Sequence, residues 1–309
     1  MTVLVLTGVT GMGKSDWAVR LAESAPVEIV SVDSVLVYRG LDIGTAKPAS
    51  ELRQRIAHHL IDICDAAESY SAGRFVADAL RCIADIESRG RVPLLVGGTL
   101  LYLRALFGGL AELPQASAGL REEIDAQAME VGWAALHGEL ARLDPRAAAR
   151  IHPNDSQRIQ RALEVCHATG RPLSDLQAVT RSPLAGQALH RWALVPVDRG
   201  ALAARLAGRF DEMMRAGFLD EVRALRARGD LTARHPAVRA VGYRQLWEHL
   251  EGACTLDEAV AQGVAATRQL AKRQLTWLRS EREMTAIDPE SAGAFAAWRR
   301  QVQTILQQA

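Results

Sequence analysis

Hydrophobic positions in this chain follow two rhythms. Short apolar runs, such as Val3-Leu4-Val5-Leu6, Ile29-Val30 before Val32, and Leu94-Leu95-Val96, predict strands over 3–7, 27–32 and 92–96. A short strand near 59–63 and Trp192-Ala193-Leu194-Val195 add to them. Between these runs the apolar residues recur at helical spacing, which predicts helices over 14–24 and 72–88 and another after Thr99. Strands apolar on both faces, alternating with amphipathic helices, imply an α/β fold with a parallel sheet flanked by helices. Residues 34–48 have neither rhythm and are expected to be irregular. From 112 to 187 the pattern is helical throughout: Pro114, an Ala/Glu/Arg-rich stretch over 117–150 and a helix over 155–168. This stretch is expected to be a helical insertion domain, with 1–111 and 188–309 forming the core. The C-terminal region is also helical, with helices expected over 199–215, 218–228, 242–250 and 256–281.

The first apolar run leads directly into Gly8-Val9-Thr10-Gly11-Met12-Gly13-Lys14-Ser15. This octet satisfies G-x-x-x-x-G-K-[ST] at every fixed position and lies between a predicted strand and helix. Glycines let the backbone turn its N–H groups toward phosphate oxygens, Lys14 brings a mobile ammonium, and Ser15 offers a hydroxyl to Mg²⁺. Residues 8–15 are therefore expected to bind a polyphosphate on a P-loop NTPase-like sheet, with Mg²⁺ as cofactor.

Ligands of such sheets sit beyond the carboxyl ends of the strands, so Ser15, Asp33 and Thr99 are expected to share one crevice. Asp33 has three readings there: a Mg²⁺ ligand, a proton acceptor, or a cap on the turn that follows. Strand 92–96 ends in Gly97-Gly98-Thr99, where a nucleotide hydrolase usually carries a second acid, and this weighs against hydrolysis.

Composition changes the picture at one point. With 309 residues, 49% hydrophobic and 24% charged, the chain has ordinary globular composition and no run long enough for a membrane helix. No signal peptide is read, the cysteines Cys64, Cys82, Cys166 and Cys254 are scattered, and a reduced, cytoplasmic monomer is expected. The net charge of +1 is uninformative, but only Lys14, Lys47 and Lys272 are lysines among 37 basic residues. Arginine is the default cation, which singles out those three sites as ones wanting a compact ammonium. Trp133, Trp192, Trp247 and Trp298 are expected to pack in cores, and His58 and His59 to make structural hydrogen bonds.

Beyond the phosphate loop, the segment from Asp33 to Pro48 (Asp-Ser-Val-Leu-Val-Tyr-Arg-Gly-Leu-Asp-Ile-Gly-Thr-Ala-Lys-Pro) resembles the tRNA dimethylallyltransferase family, also called tRNA isopentenyltransferase. The resemblance continues through His58–Ile63, Tyr70-Ser71-Ala72, Gly97–Tyr102, Ile151–Asp155, Val241–Gln245 and Ala266–Gln274. It implies transfer of the allyl group of dimethylallyl diphosphate to N6 of the adenosine at position 37, beside the anticodon of tRNA, with release of diphosphate. The adenine amino group is a poor nucleophile, and an ionised carboxylate that takes its proton is the natural remedy. The family motif gives that role to Asp33, with Thr99 holding the same amino group. Lys14, the loop amides and Mg²⁺ on Ser15 then stabilise the departing diphosphate, with Arg209 a further cation or, equally, a solvated helix residue.

RNA needs basic surface. Residues 199–282 contain 15 Lys/Arg against 10 Asp/Glu. On a helix through 267–282, Arg268, Lys272, Arg279 and Arg282 form one stripe, with Leu270, Ala271, Trp277 and Leu278 on another. The family touches tRNA at segments matching Asp33, Ser34, Val35 and Leu36; Arg121; Gln157, Arg158, Ile159, Gln160 and Arg161; Arg239, Ala240, Val241, Gly242, Tyr243 and Arg244. A last segment is Lys272, Arg273, Gln274, Leu275, Thr276, Trp277, Leu278 and Arg279, so the partner implied is the anticodon stem-loop of tRNA. The chain departs from the family at Val9, Gly11 and Met12, where Pro, Ala and Ser are usual, and at the apolar Val35 and Leu36. The alternatives are a P-loop small-molecule or nucleotide kinase, a relative that prenylates free adenine nucleotides, and a non-enzymatic RNA-binding protein.

Overall fold

The structure, a computed structural model, describes residues 2–111, 113–114, 118–178 and 180–308. In chain order the elements are β1 (Thr2–Gly8), α1 (Lys14–Ala22), β2 (Val27–Val32), α2 (Ser50–Arg55), β3 (His58–His59), α3 (Ala72–Ser88), β4 (Val92–Gly97) and α4 (Leu100–Gly108). The helices α5 (Ala118–Val131), α6 (Trp133–Leu143), α7 (Pro145–Ala148), α8 (Ser156–Thr169) and α9 (Leu173–Gln177) follow. Then come β5 (Ala188–Leu194), α10 (Arg199–Arg215), α11 (Phe218–Ala227), α12 (Tyr243–Leu250), α13 (Leu256–Ser280), β6 (Thr285–Ile287) and α14 (Ala294–Gln308). Two compact units result, one of residues up to 105 with 186 onward, the other of residues 106–185.

The first unit is built on a sheet of six strands in the order β3-β2-β4-β1-β5-β6, every neighbouring pair parallel. Such a sheet has helices on both faces, which is why β1 and β2 read as nearly continuous apolar runs. The order places β4 between β1 and β2, so the loops leaving the carboxyl ends of these three strands lie side by side. That adjacency makes the crevice.

Helix α14 is one element that the sequence pattern did not reveal. It brings Trp298 into the core against Trp17 and Trp192, at ring-centroid distances of 5.3 Å and 6.0 Å. Trp192 and Trp247 are buried too, and Trp133 packs at the edge of the second unit's core. His58 Nδ1 lies 2.8 Å from Ile56 O and His59 Nε2 lies 2.7 Å from Glu28 Oε2. No helix among the described residues is long and apolar enough to cross a membrane.

The second unit packs α5, α6 and α8 around Ile124, Leu136, Leu140, Ile159 and Leu163. Its buried Glu164 accepts from Arg121 Nε at 2.8 Å and from Arg161 Nη1 at 3.2 Å. A carboxylate so deep needs cations, and these two are held for it. The expectation that residues 157–161 all face RNA is corrected accordingly. Ile159 is in the core, whereas Gln157 and Arg158 are exposed. Gln160 binds Asp125 Oδ1 at 2.7 Å.

Candidate active site

The phosphate loop leaves β1 at Gly8, where φ is +145° and a side chain would meet the carbonyl of Leu194 on β5. Only glycine fits so close to a neighbouring strand. The loop ends at Gly13, whose left-handed φ of 77° starts α1 without a side-chain cap. The first amides of α1 are therefore left for an anion. Three loop amides are already engaged, contrary to the idea that successive N–H groups all face phosphate: Met12 N donates to Val9 O at 3.3 Å, and two more reach outside the loop. Val9 N donates to Leu194 O at 3.0 Å, and Thr10 N donates to the side-chain oxygen of Gln274 at 2.9 Å. Val9 and Met12 are buried in the core, Ser15 is exposed, and Arg205 of α10 lies 3.4 Å from Gly11 O.

Lys14 Nζ donates to Val9 O at 2.9 Å. Burial lowers its pKa to about 8, with Arg209 adding to the effect and the charge of Asp33 opposing it. A free chain thus loses its Lys14 proton as pH rises through about 8, whereas a bound diphosphate would draw the proton back. We expect net proton uptake on pyrophosphate binding at about pH 8.5 to be larger for the wild type than for Lys14→Met. Calorimetry in two buffers of different ionisation enthalpy measures that difference, and equal uptake would remove Lys14 from the site.

Asp33 follows β2. Its Oδ1 accepts from Val35 N at 2.8 Å and Leu36 N at 3.1 Å, which is the capping reading realised on one oxygen. The turn fixes the carboxylate's direction and leaves Oδ2 for other work. Thr99, after β4, accepts from Ser34 N at 3.0 Å and lies 3.4 Å from Ser34 Oγ. The Asp33 turn and the β4 loop are therefore stitched together. Arg209 of α10 is half-buried and has no salt bridge among the described residues. Burial lowers its pKa against the opposing charge of Asp33. Of its two readings, the solvated helix arginine is the one that this placement disfavours.

These groups line a cavity with two lobes. One, of 520 Å³, holds Gly11, Gly13, Lys14, Ser15 and Thr99; the other, of 290 Å³, is walled by Leu206, Phe210, Met213, Phe218, Val241 and Leu270. Asp33, Ser34, Val35 and Arg209 line both, so the carboxylate and the guanidinium stand where the phosphate-loop lobe meets the lobe with the apolar wall.

The segment 34–48 is pinned by residues that sequence reasoning missed or misjudged. The carboxylate of Glu221 on α11 accepts from the amides of Asp42, Ile43 and Gly44 at 2.9, 2.7 and 3.1 Å, and from Tyr243 Oη at 2.5 Å. Lys47, with 2% of its side chain exposed, pairs with Asp42 at 2.6 Å and Asp62 at 2.5 Å. That lysine is a clamp on the segment rather than a ligand for substrate.

Of the other expected RNA-facing positions, Arg239, Ala240 and Val241 line the apolar lobe, and Arg244 is exposed. Gly242 is buried against Phe218, and Tyr243 is buried on Glu221. On α13, Lys272, Arg273, Thr276 and Arg279 are exposed and Leu275 and Trp277 half-buried, whereas Gln274 and Leu278 are buried. The helix ends at Ser280, so Arg282 lies beyond it. The side chains of Tyr243, Gln274 and Leu278 thus point into the protein, correcting the expectation that they present themselves to RNA.

The sequence profile described as IPP transferase matches residues 36–281. The chain is 56% identical over 289 residues to the tRNA dimethylallyltransferase of Bordetella petrii, covering 93% of this chain and 92% of that one. It is also 56% identical to that of Alkalilimnicola ehrlichii, covering 94% and 92%. The full-length tRNA isopentenylpyrophosphate transferase of Bacillus halodurans superposes with a TM-score of 0.71 at 35% identity, covering 99% of this chain and 97% of that one. A eukaryotic dimethylallyltransferase solved acting on tRNA gives 0.81 at 26%, covering 98% and 79%. The chain belongs to the IPP transferase family.

Proposed function

We propose that this chain moves the dimethylallyl group of dimethylallyl diphosphate to N6 of the adenosine adjacent to the anticodon, position 37, in tRNA, releasing diphosphate. The observation that carries the reading is the seam between the two lobes. There the carboxylate of Asp33 and the cation of Arg209 border both compartments. The phosphate lobe receives the diphosphate, and the apolar lobe receives an adenine lifted from the anticodon-loop stack, which costs less in a loop than in a duplex. Asp33 Oδ2 takes the N6 proton as the C–N bond forms, and Thr99 orients the amino group. Lys14, Arg209 and the free amides at the start of α1 meet the charge that grows on the leaving group.

Mg²⁺ fits this site. Ser15 presents an exposed hydroxyl at the lobe's mouth, and the described residues hold no cluster of three or more His, Cys, Asp or Glu that could grip a metal alone. Diphosphate oxygens and water would complete the shell, as Mg²⁺ prefers. Bound there, the ion neutralises charge on the departing diphosphate.

The RNA side is supported by unpaired charge. Arg199 of α10 and Arg268, Lys272 and Arg279 of α13 ring a groove floored by Leu202, Leu206, Ala271 and Leu275. None of the four makes a salt bridge among the described residues. Phosphates are their natural partners. Replacing Arg268 and Lys272 together by Ala is expected to weaken RNA binding and to reduce the log–log salt slope by roughly 1 to 2. Fluorescence anisotropy across a salt series reads this, and an unchanged slope would take the helix off the RNA.

Incubation with donor labelled in the allyl group, Mg²⁺ and either tRNA or AMP tests the reaction. Label in tRNA nucleosides is expected. Label in AMP would mean a free-nucleotide prenyltransferase, and no transfer at all would return the chain to the kinase or binding-protein readings.

A further inference from the structure

We infer that Gln274 is a positioning residue whose side-chain amide ties the RNA-facing helix α13 to the phosphate loop and to the Gly97-Gly98-Thr99 turn, so that RNA docking sharpens the diphosphate site. The inference rests on the transfer reading and goes beyond it. Gln274 is 4% exposed. Its Oε1 accepts from Thr10 N at 2.9 Å, and its Nε2 donates to Gly98 O at 2.9 Å. One amide thus satisfies a donor in the phosphate loop and an acceptor in the turn after β4, and joins both to the same helix.

The fit against Gly98 is close. A Cβ at Gly98 would stand 2.5 Å from Gln274 Nε2, so the turn has room for the amide only because residue 98 is glycine. Thr10 and Gln274 both line the phosphate lobe, and Gly98 is followed by Thr99, which holds Ser34 beside Asp33. Along α13, Lys272 and Arg273 immediately precede Gln274 and are exposed and without salt bridges among the described residues. A phosphate that engages those cations therefore acts on the helix turn that carries the clasp. By linkage, RNA and diphosphate must then affect each other's binding by the same factor.

The clasp also fixes which amides serve the anion. With Thr10 N–H turned to Gln274 and Met12 N–H to Val9 O, the cradle is left to Gly11, Gly13 and the amides that open α1. Cutting the clasp frees the Thr10 amide and the Gly98 carbonyl inside the protein, and both loops lose their shared reference.

Binding of Mg²⁺-pyrophosphate is measured with and without a saturating anticodon stem-loop RNA, in the wild type, Gln274→Met and Gly98→Ala. In the wild type, RNA is expected to tighten pyrophosphate binding about tenfold, within the usual range of coupling between sites. In both variants the coupling is expected to fall to less than about twofold, while RNA affinity alone stays near the wild-type value. Gln274→Met removes both bonds of the clasp and Gly98→Ala crowds its Nε2 end, so the double variant should be no worse than Gln274→Met alone. Gly98→Ala keeps Gln274 itself and serves if Gln274→Met does not fold. Full coupling in a folded variant, additive losses in the double variant, or no coupling in the wild type would overturn the inference. So would a loss of RNA affinity in Gln274→Met equal to that of Lys272→Ala, since Gln274 would then contact RNA itself. Label transfer by the wild type is scored separately, so failure of the clasp and failure of the transfer reading are distinguishable.

Discussion

Replacing Asp33 by Ala is expected to lower the transfer rate by about 10²–10⁴, the usual worth of a positioned general base, while RNA affinity changes by less than about twofold. The expectation follows from the carboxylate's geometry. One oxygen is consumed by the amides of Val35 and Leu36, so the other is aimed and cannot be replaced by a mobile water. Asp33→Asn keeps the turn, because an amide oxygen can accept the same two N–H groups, yet it cannot take a proton. It should therefore be nearly as slow as Asp33→Ala and more stable. Single-turnover rates with saturating RNA separate the two roles. A near-normal rate in the Asp33→Asn variant would leave Asp33 only its capping role.

Arg209→Met is expected to lower kcat by about 10²–10³ with a smaller rise in the donor's KM. The side chain is half-buried and lines the same cavity as Asp33 and the phosphate loop, and burial already disfavours its charge. A desolvated cation interacts more strongly with charge than a hydrated one, and the diphosphate carries more charge on its leaving oxygen in the transition state than in the ground state. Its loss should therefore appear mainly in kcat. Arg209→Lys should recover part of the rate, because a point charge remains although the guanidinium fork is gone. If kcat is unchanged and only KM rises, Arg209 holds the donor uniformly and does not follow the reaction.

Much of this site was legible in the sequence because its residues sit at positions that elementary geometry fixes. The octet 8–15 reads as an anion loop between strand and helix, and Asp33 and Thr99 follow apolar runs whose length marks parallel strands. What the pattern hid has physical reasons. α2 has six residues, too few to show a period, and β6 is a three-residue edge strand defined by its pairing with β5. Glu221 lies in the first turn of α11 beside Asp220, where acids are common simply because they suit a helix N-terminus. Nothing local says that its carboxylate reaches the amides of residues 42–44.

Gln274 and Ile159 are different, since their signal was present and was outweighed by neighbours. Gln274 falls three residues after Ala271 and four before Leu278, which places it on the buried stripe of α13 in spite of the basic residues around it. Ile159 shares its stripe with Ala162, Leu163 and Cys166 on α8. A contiguous motif on a helix cannot face one partner with all its side chains. Helical phase, applied residue by residue, separates the side chains that face outward from those that hold the helix in place.

The most direct measurement is a crystal structure of the chain with a non-reactive thio analogue of the donor, Mg²⁺ and an anticodon stem-loop. The expected result puts the adenine N6 about 2.6–3.2 Å from the outer oxygen of Asp33, with the diphosphate on Lys14 and the amides that open α1. A diphosphate bound away from that loop, or an adenine whose amino group lies out of reach of Asp33, would contradict the two-lobed site as the place of transfer.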